Sequence, residues 1–170
     1  MSSSSNPTNL YPFPFSESNL KIPSKNYSHT MSLGTPETSQ NNEEKGATIE
    51  LHVQGFYKLY VELFKGVPPL TTEKGFIMSP KFRYKLKVPF FFLTNYNAHF
   101  CALFVSQKLA KLPISLGLAT YIEPHIVQNV ISLGKRSLDK EFKVVFDVKV
   151  VEIDLADNRE CDGFRKRGLI

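Results

Sequence analysis

The chain has no tryptophan and only two cysteines in 170 residues. Cys101 lies in an apolar stretch and Cys161 in a polar one. They form neither a CxxC pair nor a Cys/His spacing of the metal-binding kind, so no disulfide framework or zinc module is expected, and a reducing compartment is favoured. Long hydrophobic runs are missing as well. Stretches such as Phe100–Val105 fall far below the ~18 residues that a membrane span needs, and no basic-then-apolar leader opens the sequence. The expectation is a soluble or peripheral protein.

Motifs that carry chemistry are equally scarce. His29, His52, His99 and His125 make no HxxxH or HExxH pattern, and each reads as a surface or capping group. There is no GxSxG elbow, no Walker loop, and no GxGxxG opening a helix. Asp147, Glu152 and Asp154 read as solubilising groups on a sheet, not as an acid/base pair. The sequence therefore predicts a non-enzyme with no catalytic residue, metal or cofactor. Nucleic-acid signatures are missing too: there is no RNP-type octamer, GXXG loop, zinc finger or basic heptad helix.

What is present is an ordinary globular balance, 42% hydrophobic and 22% charged, with a core filled by rings. Fourteen Phe supply apolar mass that needs no hydrogen-bond partner. The net charge is +5 and its distribution is uneven. Residues 1–46 carry Lys21, Lys25 and Lys45 against Glu17, Glu37, Glu43 and Glu44, a net −1, which leaves +6 on the rest. Such a domain suits a polyanionic partner, and equally a mildly basic soluble fold.

Three regions follow. Residues 1–46 are rich in Ser, Thr, Asn and Pro without periodicity, and are expected to be a disordered arm. Within it, Tyr11, Pro12, Phe13, Pro14 and Phe15 alternate aromatics with prolines. They read either as an extended docking peptide for self-association or as a sticky patch in a tail. Residues 47–156 are expected to form one globular domain, and 157–170 a polar tail holding Arg165, Lys166 and Arg167, a second candidate for polyanion or membrane contact.

In the domain, Ile49, Leu51 and Val53 alternate with Glu50, His52 and Gln54, the period of a half-buried strand. The same parity resumes from Tyr57 to Leu63, with Gly55 marking a bulge, a bend or a break. Residues 70–80 read as a loop or partial strand. Phe82, Tyr84, Leu86 and Val88 share one face of the next strand, and Lys81, Arg83, Lys85 and Lys87 the other. This basic face is either a polyanion-binding surface or a solvated edge protected by its lysines.

The phenylalanine-rich stretch after Pro89 leads into a helix over 95–112, capped by Thr94 or Asn95, with Phe100, Leu103 and Phe104 in its apolar stripe beside Cys101, Val105 and Leu109. Ile114–Tyr121 reads as a further strand. A second helix is expected with Pro124 in its first turn and Gly134 as its stop. A terminal strand, 142–155, switches parity at Val150-Val151. The predicted fold is α+β: an antiparallel β-sheet with two α-helices packed on one face and a disordered N-terminal arm.

This plan of Ser/Pro arm with an aromatic-proline patch, basic-faced strand 81–88, Phe-rich capped helix, second helix and long last strand resembles the matrix proteins of plant-infecting rhabdoviruses. The resemblance spans about residues 47–156 as a pattern, without a specific motif. Late-domain peptides of the PPxY or PTAP kind, frequent in that family, have no match in Tyr11-Pro-Phe-Pro14. The resemblance implies a non-enzymatic virion protein that self-associates, condenses the viral nucleocapsid (nucleoprotein–RNA), and links it to an anionic membrane surface and a glycoprotein tail. It further implies residence in the virion and host cytoplasm, at membranes, or in the host nucleus. The alternative is a small basic nucleic-acid-binding or replication-associated subunit of a larger complex.

Overall fold

A computed structural model describes residues 24–37, 44–64, 70–94 and 98–156. Strand β1 covers Ser24–Gly34, β2 Gly46–Phe64, β3 Leu70–Met78, β4 Phe82–Pro89 and β5 Phe142–Ala156. A 3₁₀ turn, Phe90–Leu93, leads to helices α1, Ala98–Leu109, and α2, Leu116–Ser137. The fold is α+β, with both helices on one face of a five-stranded sheet.

Alternation builds that face. Ala47, Ile49, Leu51 and Val53 of β2 are fully buried, as are Val144 and Phe146 of β5, with Leu86 and Val88 of β4 beside them. Cys101, Val105 and Leu109 of α1 and Leu118, Ile122, Ile126 and Val130 of α2 cover these residues. Each such large side chain contributes about 1.5–3 kcal/mol on leaving water.

The sheet is mixed, not antiparallel throughout. Its order is β1-β5-β2-β3, and β4 also pairs with β2. β5 runs parallel to β2 from Ala47↔Phe142 to Val61↔Ala156 and antiparallel to β1 from Ser24↔Ile153 to Gly34↔Lys143. The cause is the helical hairpin. β4 ends beside the start of β2, where the Phe90 amide donates to the Lys45 carbonyl. Two helices carry the chain out and back to that same end, so β5 must run against β4 and hence along β2.

Several local expectations change. Residues 24–34, placed in the disordered arm 1–46, form β1. Residues 70–78 form a full strand on the same edge of β2 as β4. Gly55 interrupts nothing in β2; the irregularity lies in the facing chain. Phe56 pairs with Met78 and Val53 with Phe82, so Gln54 and Gly55 face the three residues from Ser79 to Lys81. This is a bulge. At Val150-Val151 both pairings of β5 continue in register, and Val150 and Ile153 are both buried.

Ile114–Tyr121 is not a strand. Ser115 caps α2 by accepting from the Leu118 amide at 3.2 Å, so the helix begins at Leu116 and Pro124 lies inside it. Gly134 does not stop the helix, which runs to Ser137 and ends with Leu138 in the left-handed region at φ 50°. Gly134 is set by packing: a Cβ there would lie 2.9 Å from Leu93 Cβ.

Candidate contact surfaces

The face of the sheet turned away from the helices carries β2 residues of even number, β4 residues of odd number and β5 residues of odd number. On it the expected alternation of β4 holds, bringing Lys81, Arg83, Lys85 and Lys87 to one side of the sheet. Its electrostatics differ from a free basic stripe. Lys81 pairs with Asp147 at 2.5 Å, Lys85 with Glu37 at 2.7 Å and Lys87 with Glu141 at 3.3 Å. Arg83 is exposed and makes no ion pair with a described residue. Arg165, Lys166 and Arg167, and the Tyr11–Phe15 peptide, lie outside the described residues.

These pairs belong to a chain of alternating sign. Lys143 joins Glu37, at 3.5 Å, to Glu50. The His52 ring lies between Glu50, 2.8 Å from Nε2, and Asp147, 3.1 Å from Nδ1. Hydrogen bonds from Lys143 and then His52 hold the Glu50 carboxyl at about 2. The Lys81 hydrogen bond keeps Asp147 below the usual carboxylate range, and Lys85 does the same for Glu37. Carboxylates held this acidic are poor proton acceptors near neutrality. The arrangement ties β4, β2 and β5 together side by side, and leaves little charge free for a polyanion.

Beyond Gln54 the same face also carries apolar side chains, beside the Lys58–Glu73 ion pair. The rings of Phe56 and Phe76 stand 6.1 Å apart, and Phe76 and Met78 are about half exposed.

On the helix side, β1 is held by aromatic contacts. Tyr27 stacks on Tyr121 of α2 at 5.3 Å between centroids, and His29 Nδ1 lies 2.8 Å from the Tyr121 hydroxyl. The His125 ring is 4.2 Å from that of His29. Burial, and then His125, depress the His29 pKa, while burial raises that of Tyr121. Cys101 is fully buried, and desolvation pushes its thiol up to about 11, which removes it from thiolate chemistry at neutral pH. Among the described residues no three His, Cys, Asp or Glu side chains gather as a metal site would require.

The outer side of the helices departs most from expectation. Phe100 and Leu103, assigned to the apolar stripe of the first helix, point away from the core at 55% and 47% exposure. With Phe91, 66% exposed, they form one ridge. Phe91 packs edge-on against Phe92, Phe92 stacks on Phe104 at 4.7 Å, and Phe100 lies one helical turn before Phe104. Lys108 sits over the Phe104 ring. The contact of Gly134 with Leu93 brings the last turn of α2, with exposed Lys135 and Arg136, to the same end.

The chain matches no family model, no curated protein and no solved structure.

Proposed function

We propose that the chain is a non-catalytic assembly protein of matrix type, which self-associates and joins a nucleocapsid to the inner face of an anionic membrane. The observation that carries this reading is the ridge of Phe91, Phe100 and Leu103, with Lys108 over the adjoining Phe104 ring. Aromatic side chains left in water on a small domain cost free energy unless a partner covers them. Rings backed by cations suit the interfacial zone of an anionic bilayer, where each nearby cation contributes about 1 kcal/mol and the rings add apolar burial. No helix among the described residues is long and apolar enough to cross a membrane.

Membrane contact is assigned here to the helix layer in preference to Lys81, Lys85 and Lys87, because those three cations already face carboxylates. The test is flotation with phosphatidylserine-containing and pure phosphatidylcholine vesicles over a salt range. The intact protein should float with the anionic vesicles alone. Phe91→Ser combined with Phe100→Ser should abolish flotation, whereas Lys85→Gln should leave it nearly unchanged. Failure to float with anionic vesicles, together with tight binding of single-stranded RNA, would replace this reading with the nucleic-acid-binding one.

A further inference from the structure

The two edges of the sheet are protected very differently. Along β3 and β4, the chain breaks its regular pairing at the Ser79–Lys81 bulge and shifts register twice more, between Leu59 and Tyr60 and between Glu62 and Phe64 of β2. Pro80 and Pro89 remove donors, and the exposed Arg83 of β4 adds a cation on this side. These are the usual safeguards against strand addition.

β1 has none of them. It pairs with β5 over all eleven residues without a bulge and contains no proline. Its one formal charge, Lys25, is already 3.7 Å from Glu152 of its own sheet. No other described strand pairs with the outer backbone edge of β1, and such an edge is a row of donors and acceptors that another chain can pair with. Two apolar side chains on it also lack cover: Met31 is 41% and Leu33 64% exposed, because the aromatic contacts with α2 involve Tyr27 and His29 only.

We propose that β1 is the self-association surface of this protein, pairing antiparallel with β1 of a second copy about a two-fold axis to make one continuous sheet. A second copy fits because the strand is complementary to itself. Only pairing centred on His29 uses all eleven residues, and it places Tyr27 opposite Met31 and Lys25 opposite Leu33. No like charges then oppose each other, and both uncovered apolar side chains gain a cross-strand partner. An isologous contact of this kind closes at two copies, so larger assemblies require another surface. The inference rests on the self-association part of the proposed function and not on membrane binding.

The test is sedimentation velocity over a range of concentrations on the intact protein and on Met31→Lys/Leu33→Lys. Both substituted positions are exposed, and circular dichroism checks that the variant stays folded. The intact protein should sediment as a dimer that dissociates on dilution, and the variant as a monomer at every concentration. A second measurement reads the proximity of two copies directly. In a Cys161→Ser background, His29→Cys should form an intermolecular disulfide on mild oxidation, while Phe82→Cys on the opposite edge should not. A dimer that survives the two lysines, or equal cross-linking at both positions, would show self-association through another surface. A protein monomeric throughout would overturn self-association as a whole, and vesicle flotation of the lysine variant separates either failure from that of membrane contact.

Discussion

The Ser79 hydroxyl accepts a hydrogen bond from the backbone amide of Gly55 at 2.8 Å, while the Ser79 amide donates to the Gly55 carbonyl at the same distance. One residue thus closes both sides of the gap where the chain passes from β3 to β4, opposite an unbroken β2. The same hydroxyl donates to the Pro80 carbonyl. Ser79 is 7% exposed, so loss of its oxygen leaves the Gly55 amide without a partner and without water. Ser79→Ala is expected to cost about 1–3 kcal/mol, measured by urea denaturation. A cost below a few tenths would show that β3 and β4 are held by their own pairing alone.

Acid should loosen the charged face in a defined window. Glu50 titrates at about 2 in the folded protein against an ordinary value of 4.5. The folded state therefore binds this proton less tightly than the unfolded state. The stability that Glu50 contributes is complete above 4.5 and is lost as the pH falls toward 2. Glu50→Gln should lower the thermal midpoint near neutrality and flatten its decline across that interval. A variant curve parallel to that of the intact protein would remove Glu50 from the account.

His29 gives a second pH dependence at milder acidity. Its neighbours are Tyr121 and His125 of α2 and Phe146 of β5, none of which is an anion. With the pKa lowered from 6.5, the unfolded chain takes up the proton first. Stability is full above 6.5 and falls as the pH drops through the lowered value. His29→Phe, which keeps a ring against Tyr121, should show a smaller drop in thermal midpoint between pH 7 and 5 than the intact protein. An unchanged drop would assign the effect to another group.

Pro124 interrupts α2 from within. A proline in a helix interior costs about 3 kcal/mol, and its restriction of the unfolded chain returns roughly 1 of these. Pro124→Ala is therefore expected to stabilise the protein by about 2 kcal/mol in urea titrations. A neutral or destabilising result would mean that a bend at Pro124 is needed for α2 to follow the sheet.

The helix-covered strands were legible because alternation at Ile49–Val53, Phe82–Val88 and Phe142–Val150 is a direct image of one wet and one dry side. β1 was not, since Ser-Lys-Asn-Tyr-Ser-His-Thr-Met-Ser-Leu-Gly shows too few apolar residues to mark a face. Its partner also lies more than a hundred residues away. The phase of α1 was hidden for the opposite reason. Phe100, Cys101, Leu103, Phe104 and Val105 are all apolar, so composition alone could not say which side would be dry. The neutralisation of the β4 lysines was out of reach, because it depends on Glu37 beyond β1 and on β5 lying parallel beside β2, which brings Glu141 and Asp147 alongside.

The placement of β5 also bears on how the protein comes into being. This strand is the last element among the described residues, yet it occupies the slot between β1 and β2. During synthesis β1 cannot pair with β5 until residue 142 and beyond have left the ribosome. Until then the edge of β2 that β5 will occupy is bare, and the helices cover only part of a floor. The sheet therefore cannot close until β5 has emerged, and its folding is slowed by pairings so distant in sequence. Until β5 arrives, the nascent chain exposes two strand edges to every other unfinished copy nearby.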